Sequence, residues 1–313
     1  DVYNKGMELL IGGTPIQTKD WTWETSINLS GNRGTVENLT EGMDILYVTD
    51  AQVGTAKAAS FNNGKFMGIA GSAWKRDPNG NVILNDSYMP VVDSNTTLYV
   101  GDREPDVQGG WNNTVSFGRE SFGRLTFNML WEFRFGGMVY NGTEYAMTTN
   151  GLSEISENRE SITVTGVQEI MGKDAAGNDI VVGYTDPETH TFNADGTYNL
   201  NGANVSGRYL IQHYYQDYYV QETANFLTKV NSLRLRTISL AWELPSKWLE
   251  KSKVFKRASI SVTANNLLLF TNYNGDPELA VSGSGTIGSS SVGIDYCGVP
   301  STASVAFGVN LTF

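Results

Sequence analysis

Apolar and polar residues alternate along several stretches of the chain, most regularly over residues 301–313, STASVAFGVNLTF. Every second position there is apolar: Val305, Phe307, Val309, Leu311 and Phe313. A period of two is that of a β-strand with one apolar face. Because the apolar stripe continues to an aromatic residue at its last position, the pattern is typical of the closing strand of a membrane β-barrel. The end of a soluble domain usually frays instead.

The clearest strand is predicted at 122–137, FGRLTFNMLWEFRFGG. One face of this strand is apolar and carries Leu125, Phe127, Met129, Trp131, Phe133 and Phe135. The opposite face is polar and carries Arg124, Thr126, Asn128, Glu132 and Arg134. Charges placed along one face of a strand favour a barrel wall, because the inner face of such a wall is wet.

Five further strands are predicted from the same alternation, at 6–16, 21–32, 110–118, 230–245 and 257–273. In the fourth of them Leu233 and Leu235 have the opposite parity to Ile238, Leu240 and Trp242. This change of parity predicts a β-bulge, or the point at which the strand leaves the membrane.

The connections between these strands alternate between short and long. The short ones lie at 17–20, 119–121 and 246–256, the last with room for one helical turn. The long ones lie at 33–108, 137–229 and 273–300, and the first two each have room for a further pair of strands. This one-sided asymmetry is that of an outer-membrane barrel with short periplasmic turns and long extracellular loops. Within the second long region, short strands are predicted at 160–167 and at 208–220, RYLIQHYYQDYYV.

Aromatic residues cluster near the predicted strand ends, as they do in the girdles of membrane barrels. They are Trp21, Trp23, Phe117 and Phe313 at one rim, and Phe133, Phe135, Phe270 and Tyr273 toward the other. The predicted fold is therefore all-β, a transmembrane antiparallel β-barrel. A β-sandwich remains the alternative, because its strands also alternate, with the apolar side inward.

The composition argues against several kinds of chemistry. The net charge of −11 on 313 residues argues against nucleic acid as a partner, because a phosphate backbone needs a basic surface. Cys297 is the single cysteine, and it has neither a metal-ligand spacing nor a nucleophile–base spacing to His190 or His213. We therefore expect no catalytic residue, no metal and no cofactor.

Two motifs resemble small-ligand sites only superficially. The stretch GSGTIG at 283–288 fits the dinucleotide pattern, but no Rossmann strand precedes it and no helix follows it, so we expect no nucleotide site. The acidic residues Asp102, Glu104 and Asp106 have two interpretations. They bind a cation, or they belong to a solvated loop, and the second is favoured.

The most promising ligand-binding feature is the aromatic group in 208–220. It consists of His213, Tyr214, Tyr215, Tyr218 and Tyr219. Each tyrosine offers an apolar plane and a hydroxyl, which suit sugar rings or peptide side chains. The alternative is that these rings pack against neighbouring loops or against the edge of the bilayer.

Six stretches, spread over both ends and the interior of the chain, share the pattern of one family. They read NKGMELLI, WTWETSINLSGNRGTVENL, GDREPDVQGGWNNTVSFG, NSLRLRTISLAWELPSKWLEK, ISVTANNLLLFTNYNGDPE and GIDYCGVPSTASVAFGVNLTF. In this order they resemble the SusC/RagA-type TonB-dependent outer-membrane transporters of Bacteroidetes. The chain departs from that family where DREPD is unusually charged and where Cys297 replaces an expected small residue.

The resemblance implies that residues 1–313 are the C-terminal segment of a plugged barrel of about 22 strands, whose plug and N-terminal strands are absent from this chain. It further implies active import of oligosaccharides or peptides across the outer membrane of a Gram-negative bacterium. The implied partners are TonB, the N-terminal plug and barrel portion, a SusD-like surface lipoprotein over the long loops, outer-membrane lipid and the imported ligand. The alternative from another class is a secreted β-sandwich glycan-binding module.

Two groups of residues acquire expected roles in such a barrel. Arg124, Asn128, Glu132 and Arg134 are expected to face the lumen and to contact plug or substrate. The plug is favoured, because a plugged lumen must pair its buried charges. The apolar residues Val309, Leu311 and Phe313 are expected to form the signal for assembly into the outer membrane.

Overall fold

The computed structural model describes residues 1–93, 97–250, 254–279 and 293–313. Its strands are β1 (Val2–Gln17), β2 (Trp21–Val36), β3 (Ile45–Val53), β4 (Ala56–Phe61), β5 (Gly64–Lys65), β6 (Gly68–Gly71), β7 (Leu98–Asp102), β8 (Val107–Arg119), β9 (Gly123–Asn141), β10 (Ser161–Gly166), β11 (Glu169–Lys173), β12 (Asp179–Tyr184), β13 (Glu188–Asn193), β14 (Thr197–Leu200), β15 (Ala203–Ser206), β16 (Leu227–Glu243), β17 (Arg257–Thr271), β18 (Ile294–Asp295) and β19 (Ser304–Thr312). Its α-helices are α1 (Gly142–Thr149), α2 (Gly207–His213) and α3 (Ser246–Leu249). A π-helical turn spans Tyr214–Tyr218, and 3-10 turns span Glu154–Ser156, Tyr219–Gln221 and Thr223–Phe226. None of the helices described is long and apolar enough to cross a membrane.

The long strands form one antiparallel sheet in the order β1-β2-β8-β9-β16-β17-β19. Each of these seven long strands pairs with the long strand that follows it in the chain. The seven strands predicted from alternation are therefore confirmed, as is the all-β antiparallel fold. These strands could be predicted because the period of two can be seen in each stretch of sequence by itself.

The strand register aligns apolar side chains into rows across the sheet, because paired residues of neighbouring strands lie on the same face. One row crosses every strand of the sheet and consists of Ile16, Trp23, Val115, Phe127, Leu240, Val262 and Phe307. We call this side the apolar face and the other side the polar face. Phe307 is 83% exposed, and Ile16 and Leu240 are exposed as well. A β-sandwich would bury such a row against a second sheet, so this exposure argues against that alternative.

The predicted bulge lies in β16. The register of β16 shifts between Leu235 and Thr237 against both of its neighbours, β9 and β17. Arg236 is the additional residue at this point, and its side chain reaches Glu132 on the polar face. Arg234 and Arg236 of β16 are two residues apart and both lie on the polar face, and the apolar positions of the strand change parity beyond the bulge.

The short connections lie at one end of the sheet, which we call the turn end. They span 18–20, 120–122 and 244–256, and the third contains α3, the predicted helical turn. Aromatic rings form a chain across this end: the centroids of Trp21 and Phe117 are 4.8 Å apart, and those of Phe122 and Trp242 are 5.6 Å apart. Trp21 and Phe117 belong to the aromatic rim that the sequence predicts, and rings placed in this way form an aromatic belt.

The long connections, at the opposite loop end, fold into small sheets of their own. The first contains the sheet β3-β4-β6-β7, and the second contains the two-stranded sheet β10-β13 and the hairpins β11-β12 and β14-β15. In the third, β18 pairs with the end of β9 in parallel. All three contribute to one buried cluster, which we call the loop core: Val53, Ala56, Ala58, Ile69, Tyr140, Val220, Phe226 and Ile294.

Two local predictions at the loop end are wrong. Residues 208–220 are helical, through α2 and the turns that follow it, and not a strand. The reason is a period of four, because Leu210 and Tyr214, like Ile211 and Tyr215, are one helical turn apart and face the same side. They pack in a second hydrophobic cluster, whose buried residues are Leu84, Met89, Ile162, Val164, Phe192, Leu210 and Ile211. Tyr273 was expected at the outer rim but is buried, and its hydroxyl donates to Asp295 Oδ2 at 2.9 Å. The strand predicted at 160–167 is confirmed as β10.

Candidate functional site

The polar face of β8 and β9 carries a network of amide and hydroxyl side chains around Asn128. Asn128 Nδ2 donates to Thr114 Oγ1 at 2.9 Å and to Asn112 Oδ1 at 3.1 Å. Polar groups on a sheet face are kept in place by such mutual hydrogen bonds. Asn128 is thus held within the wall by its neighbours on β8.

The charged residues of the polar face are paired across strands and with the third long connection. Arg236 binds the carboxylate of Glu132, and its Nη2 lies 2.6 Å from Glu278 Oε2. Arg234 is ion-paired with Asp276, and both side chains are buried, with 4% and 3% exposed. Residues 276–278 are therefore tied to the polar face of β16.

The carboxylate of Asp276 is held by several donors. Besides Arg234, the backbone amides of Glu278 and Ser301 each donate to it at 3.1 Å. Burial raises the pKa of Asp276, but the hydrogen bonds from the two amides and the charge and hydrogen bond of Arg234 outweigh it. The pKa therefore lies below its ordinary value of 3.8.

The two other charged residues expected at the lumen lie at opposite ends of β9. Arg134 lies toward the loop end, where its Nη2 donates to the carbonyl oxygen of Arg103 at 3.1 Å. Arg124 lies at the turn end, exposed, and lines a shallow polar depression with Glu243 and Arg257. The four residues Arg124, Asn128, Glu132 and Arg134 thus share one face but do not form one cluster.

The predicted aromatic group is mainly a packing element between two clusters of the loop end. The ring centroids of Tyr214 and Tyr215 are 5.2 Å apart, and Tyr219 packs on Phe226 at 5.9 Å. Tyr214, Tyr215 and Tyr218 contact the second cluster, which contains Leu210 and Ile211, whereas Tyr219 contacts the loop core. Burial raises the pKa of Tyr214 above its ordinary value. The packing interpretation of these tyrosines is the one that their contacts favour.

His213 and Tyr215 differ from the other members of the group. His213 Nδ1 contacts the carboxylate of Asp217, and its ring stacks on Tyr209 with centroids 5.2 Å apart. Tyr215 lines a cleft of about 890 Å³, which lies between α2, the end of α1 and the turn after β13. A cleft of this size is typical of small-ligand sites. Among the five aromatic residues predicted for ligand binding, Tyr215 is therefore the one that reaches a cleft.

The acidic residues of the stretch DREPD have separate partners. Asp102 is ion-paired with Lys65 at 2.9 Å, and Glu104 accepts a hydrogen bond from the amide of Gly34 at 2.7 Å. Asp106 contacts Lys229 at 2.9 Å and Arg33 at 2.6 Å. The hydrogen bond from Lys229 lowers the pKa of Asp106. These carboxylates join the segment before β8 to β2, β5 and β16 at the loop end, and in the described ranges no group of three or more potential metal ligands exists.

The remaining predicted features lie apart from this region. Val309 and Leu311 point from the apolar face of β19, and the ring of Phe313 packs on Phe255 with centroids 5.3 Å apart. Cys297 is a free, exposed thiol. The stretch 283–288 lies outside the described residues.

The ion pairs of Arg234 with Asp276 and of Arg236 with Glu278 were not predicted from the sequence. A signal for them exists, because the arginines in LRLR at 233–236 alternate with leucines and so must face the polar side. Their partners follow β17 in the chain, and no local pattern links the two segments. The cleft residues Arg208 and Asp195 carried no such signal.

Comparison with known proteins agrees with the resemblance seen in the sequence. No protein-family model matches the chain. Among curated proteins, the chain is 23% identical over 336 residues to TonB-dependent receptor P3 and 22% identical over 331 residues to TonB-dependent receptor P26, both of Formosa agariphila. The alignments cover 100% and 99% of this chain but 29% of each relative. The chain thus spans less than a third of the length of these curated relatives.

Comparison with solved structures finds similar folds. The fold matches the RagAB peptide importer in its closed-closed state with a TM-score of 0.59 and 18% identity, over 100% of this chain and 30% of that one. The open-open state of the same importer gives a TM-score of 0.59 and 16% identity, over 100% of this chain and 29% of that one. Along its whole length the chain is therefore similar to TonB-dependent receptors, and its fold is that of the matching part of RagA-like proteins.

Proposed function

We propose that the chain is part of the β-barrel wall of a TonB-dependent transporter that imports oligosaccharides or peptides across the outer membrane of a Gram-negative bacterium. The relatives named above are receptors and importers and not enzymes, which supports a role in transport. No covalent chemistry is assigned to the chain.

One observation carries this proposal: an apolar row crosses the whole sheet from Ile16 to Phe307, and none of its members is buried. In water such a surface would favour aggregation, whereas hydrocarbon is its natural solvent. The opposite face carries amides and ion pairs, as expected of a wall around a wet lumen. The long connections all lie at one end, which corresponds to the extracellular side of an outer-membrane barrel.

The polar face lines the lumen in this proposal. The residues Arg124, Asn128, Glu132 and Arg134 face a plug domain supplied outside this chain, together with the remaining strands of the barrel. Energy comes from TonB through that other portion. The apolar residues Val309, Leu311 and Phe313 form the signal for assembly into the membrane.

The loop end binds the second component of the importer, a SusD-like surface lipoprotein. The small sheets and hairpins there form a larger surface than is needed only to connect one strand to the next. Hydrophobic side chains of the hairpin β11-β12, such as Met171 and Val182, are exposed on it. Exposed apolar patches of this kind mark interaction surfaces.

Lipid contact of the apolar face is the test of this proposal. In the complete transporter with Cys297→Ser, the thiol of Phe307→Cys is labelled with a fluorophore, and the protein is placed in vesicles that contain brominated lipid. Quenching is expected for the label at 307, on the apolar face, and not for a label at Asn310→Cys, on the polar face of the same strand. Equal quenching at both positions, or a protein that stays soluble without detergent, would contradict the barrel and support the glycan-binding sandwich.

A further inference from the structure

The cleft beside Tyr215 has the features of a built binding site. It lies at the loop end, measures about 890 Å³, and its walls come from segments that the second hydrophobic cluster holds in place. Gly207, the first residue of α2, fits flush against Asn193, since a Cβ at that position would overlap the carbonyl oxygen of Asn193. The wall between α2 and the turn after β13 is thus closely packed and not a gap between loose loops.

Charges of both signs line the cleft. Arg208 stands at the beginning of α2, Asp195 stands in the turn after β13, and Arg159 and Glu160 precede β10. Arg159 Nη2 donates to the carbonyl oxygen of Gly151 at 2.6 Å, whereas the exposed side chains of Arg208, Asp195 and Glu160 take part in no ion pair with the described residues. The nearby hairpin shows the usual alternative, because its Lys173 and Asp179 pair with each other at 2.6 Å. Separate, unpaired charges of opposite sign suit a ligand that carries both.

The floor of the cleft supplies an apolar surface, which Tyr215 and the buried Ile211 form. Thr148 also belongs to the lining, but it is 0% exposed, so its hydroxyl is closed off from a ligand in the cleft.

We propose that this cleft binds a short peptide segment that carries both a carboxylate and an ammonium group. The carboxylate pairs with Arg208, the ammonium group pairs with Asp195, and the apolar part of the segment packs on Tyr215. A neutral glycan would also stack on Tyr215 but would leave both charges unpaired, so the peptide is favoured. This inference rests on the proposed import function and specifies the class of its ligand.

Binding to the complete, detergent-solubilised transporter tests the inference by calorimetry. The probe is an alanine-rich hexapeptide with an acetylated N-terminus, an amidated C-terminus, one lysine and one glutamate, compared with the equally capped analogue in which both are glutamine and with maltohexaose. We expect the charged peptide to bind more tightly than both others, and Arg208→Gln or Asp195→Asn to raise its Kd about tenfold. The variants Lys173→Gln and Asp186→Asn, in the same long connection but outside the cleft, are expected to leave the Kd unchanged.

Three results would overturn the inference. These are equal binding of the charged and uncharged peptides, no effect of the cleft variants, or binding of maltohexaose alone with loss in Tyr215→Ala. None of these touches the proposed transport function, which is judged separately by the lipid quenching at position 307. A protein that inserts into lipid but binds no charged peptide contradicts only the assignment of the ligand.

Discussion

The ion pair of Arg234 and Asp276 makes a strong residue-scale prediction. Asp276→Ala leaves the buried charge of Arg234 with only Glu278, whose Oε1 lies 3.4 Å from its Nε, and this is expected to destabilise the fold by about 3 kcal/mol. The exposed pair of Lys173 and Asp179 is the matched control, and Asp179→Ala is expected to cost less than about 1 kcal/mol. Stability is measured as the temperature at which the detergent-solubilised protein loses its folded mobility on a gel. Equal losses in the two variants would contradict the role assigned to burial.

The same carboxylate predicts a pH dependence. The pKa of Asp276 is lowered in the folded protein, so its ionised form stabilises the fold above the ordinary value of 3.8. That contribution is lost as the pH falls below about 4 and through the lower folded pKa. The difference in stability between the unmodified protein and Asp276→Asn is therefore expected to shrink between pH 5 and the acid range, in the same gel assay. A difference that stays constant over that range would show that Asp276 does not titrate as proposed.

At the scale of elements, the close approach of β2 and β8 depends on a glycine. A Cβ at Gly109 would overlap the carbonyl oxygen of Asn28 on β2, and it would lie 2.9 Å from Cζ of Phe133. Gly109→Val is therefore expected to destabilise the sheet by about 1–3 kcal/mol or to block its assembly. Gly13→Val on β1 is the control, because nothing lies within 4 Å of a Cβ there. The folded fraction in the outer membrane measures both, and the prediction fails if the two variants assemble equally well.

The elements also show what local pattern can and cannot predict. The strands of the sheet were predictable, because alternation in stretches such as 122–137 is a local property that the register preserves. The segment 208–220 was assigned to the wrong element, because its apolar residues come in adjacent pairs that recur every four residues, at 210–211, 214–215 and 218–219, which is a helical period and not alternation. Asp276 and Glu278, which pair with Arg234 and Arg236, lie in another loop, and no spacing in the sequence points to them.

At the scale of the whole molecule, the loop end is expected to respond as one unit. Ile294 is fully buried in the loop core, between residues from the other two long connections. Ile294→Asp puts a charge there and is expected to open the loop end to proteases while the sheet keeps its folded mobility, since burial of an unpaired charge is strongly unfavourable. Val299→Asp, in the same segment but 84% exposed, is expected to change neither. Cleavage confined to the segment around Ile294, with the other two connections still protected, would show that the loops fold independently.

The shared loop core also constrains how such a protein changes during evolution. The apolar face of the proposed barrel wall tolerates exchange of one apolar residue for another, because fluid lipid adapts to the shape of the side chain. The loops are different, since Ile294, Val53 and Phe226 come from three separate connections and fill one common space. A new loop sequence is accepted only if it still complements the other two. The three loops are therefore expected to be inherited as a matched set, and a transplant of all three between relatives should succeed where a transplant of one fails.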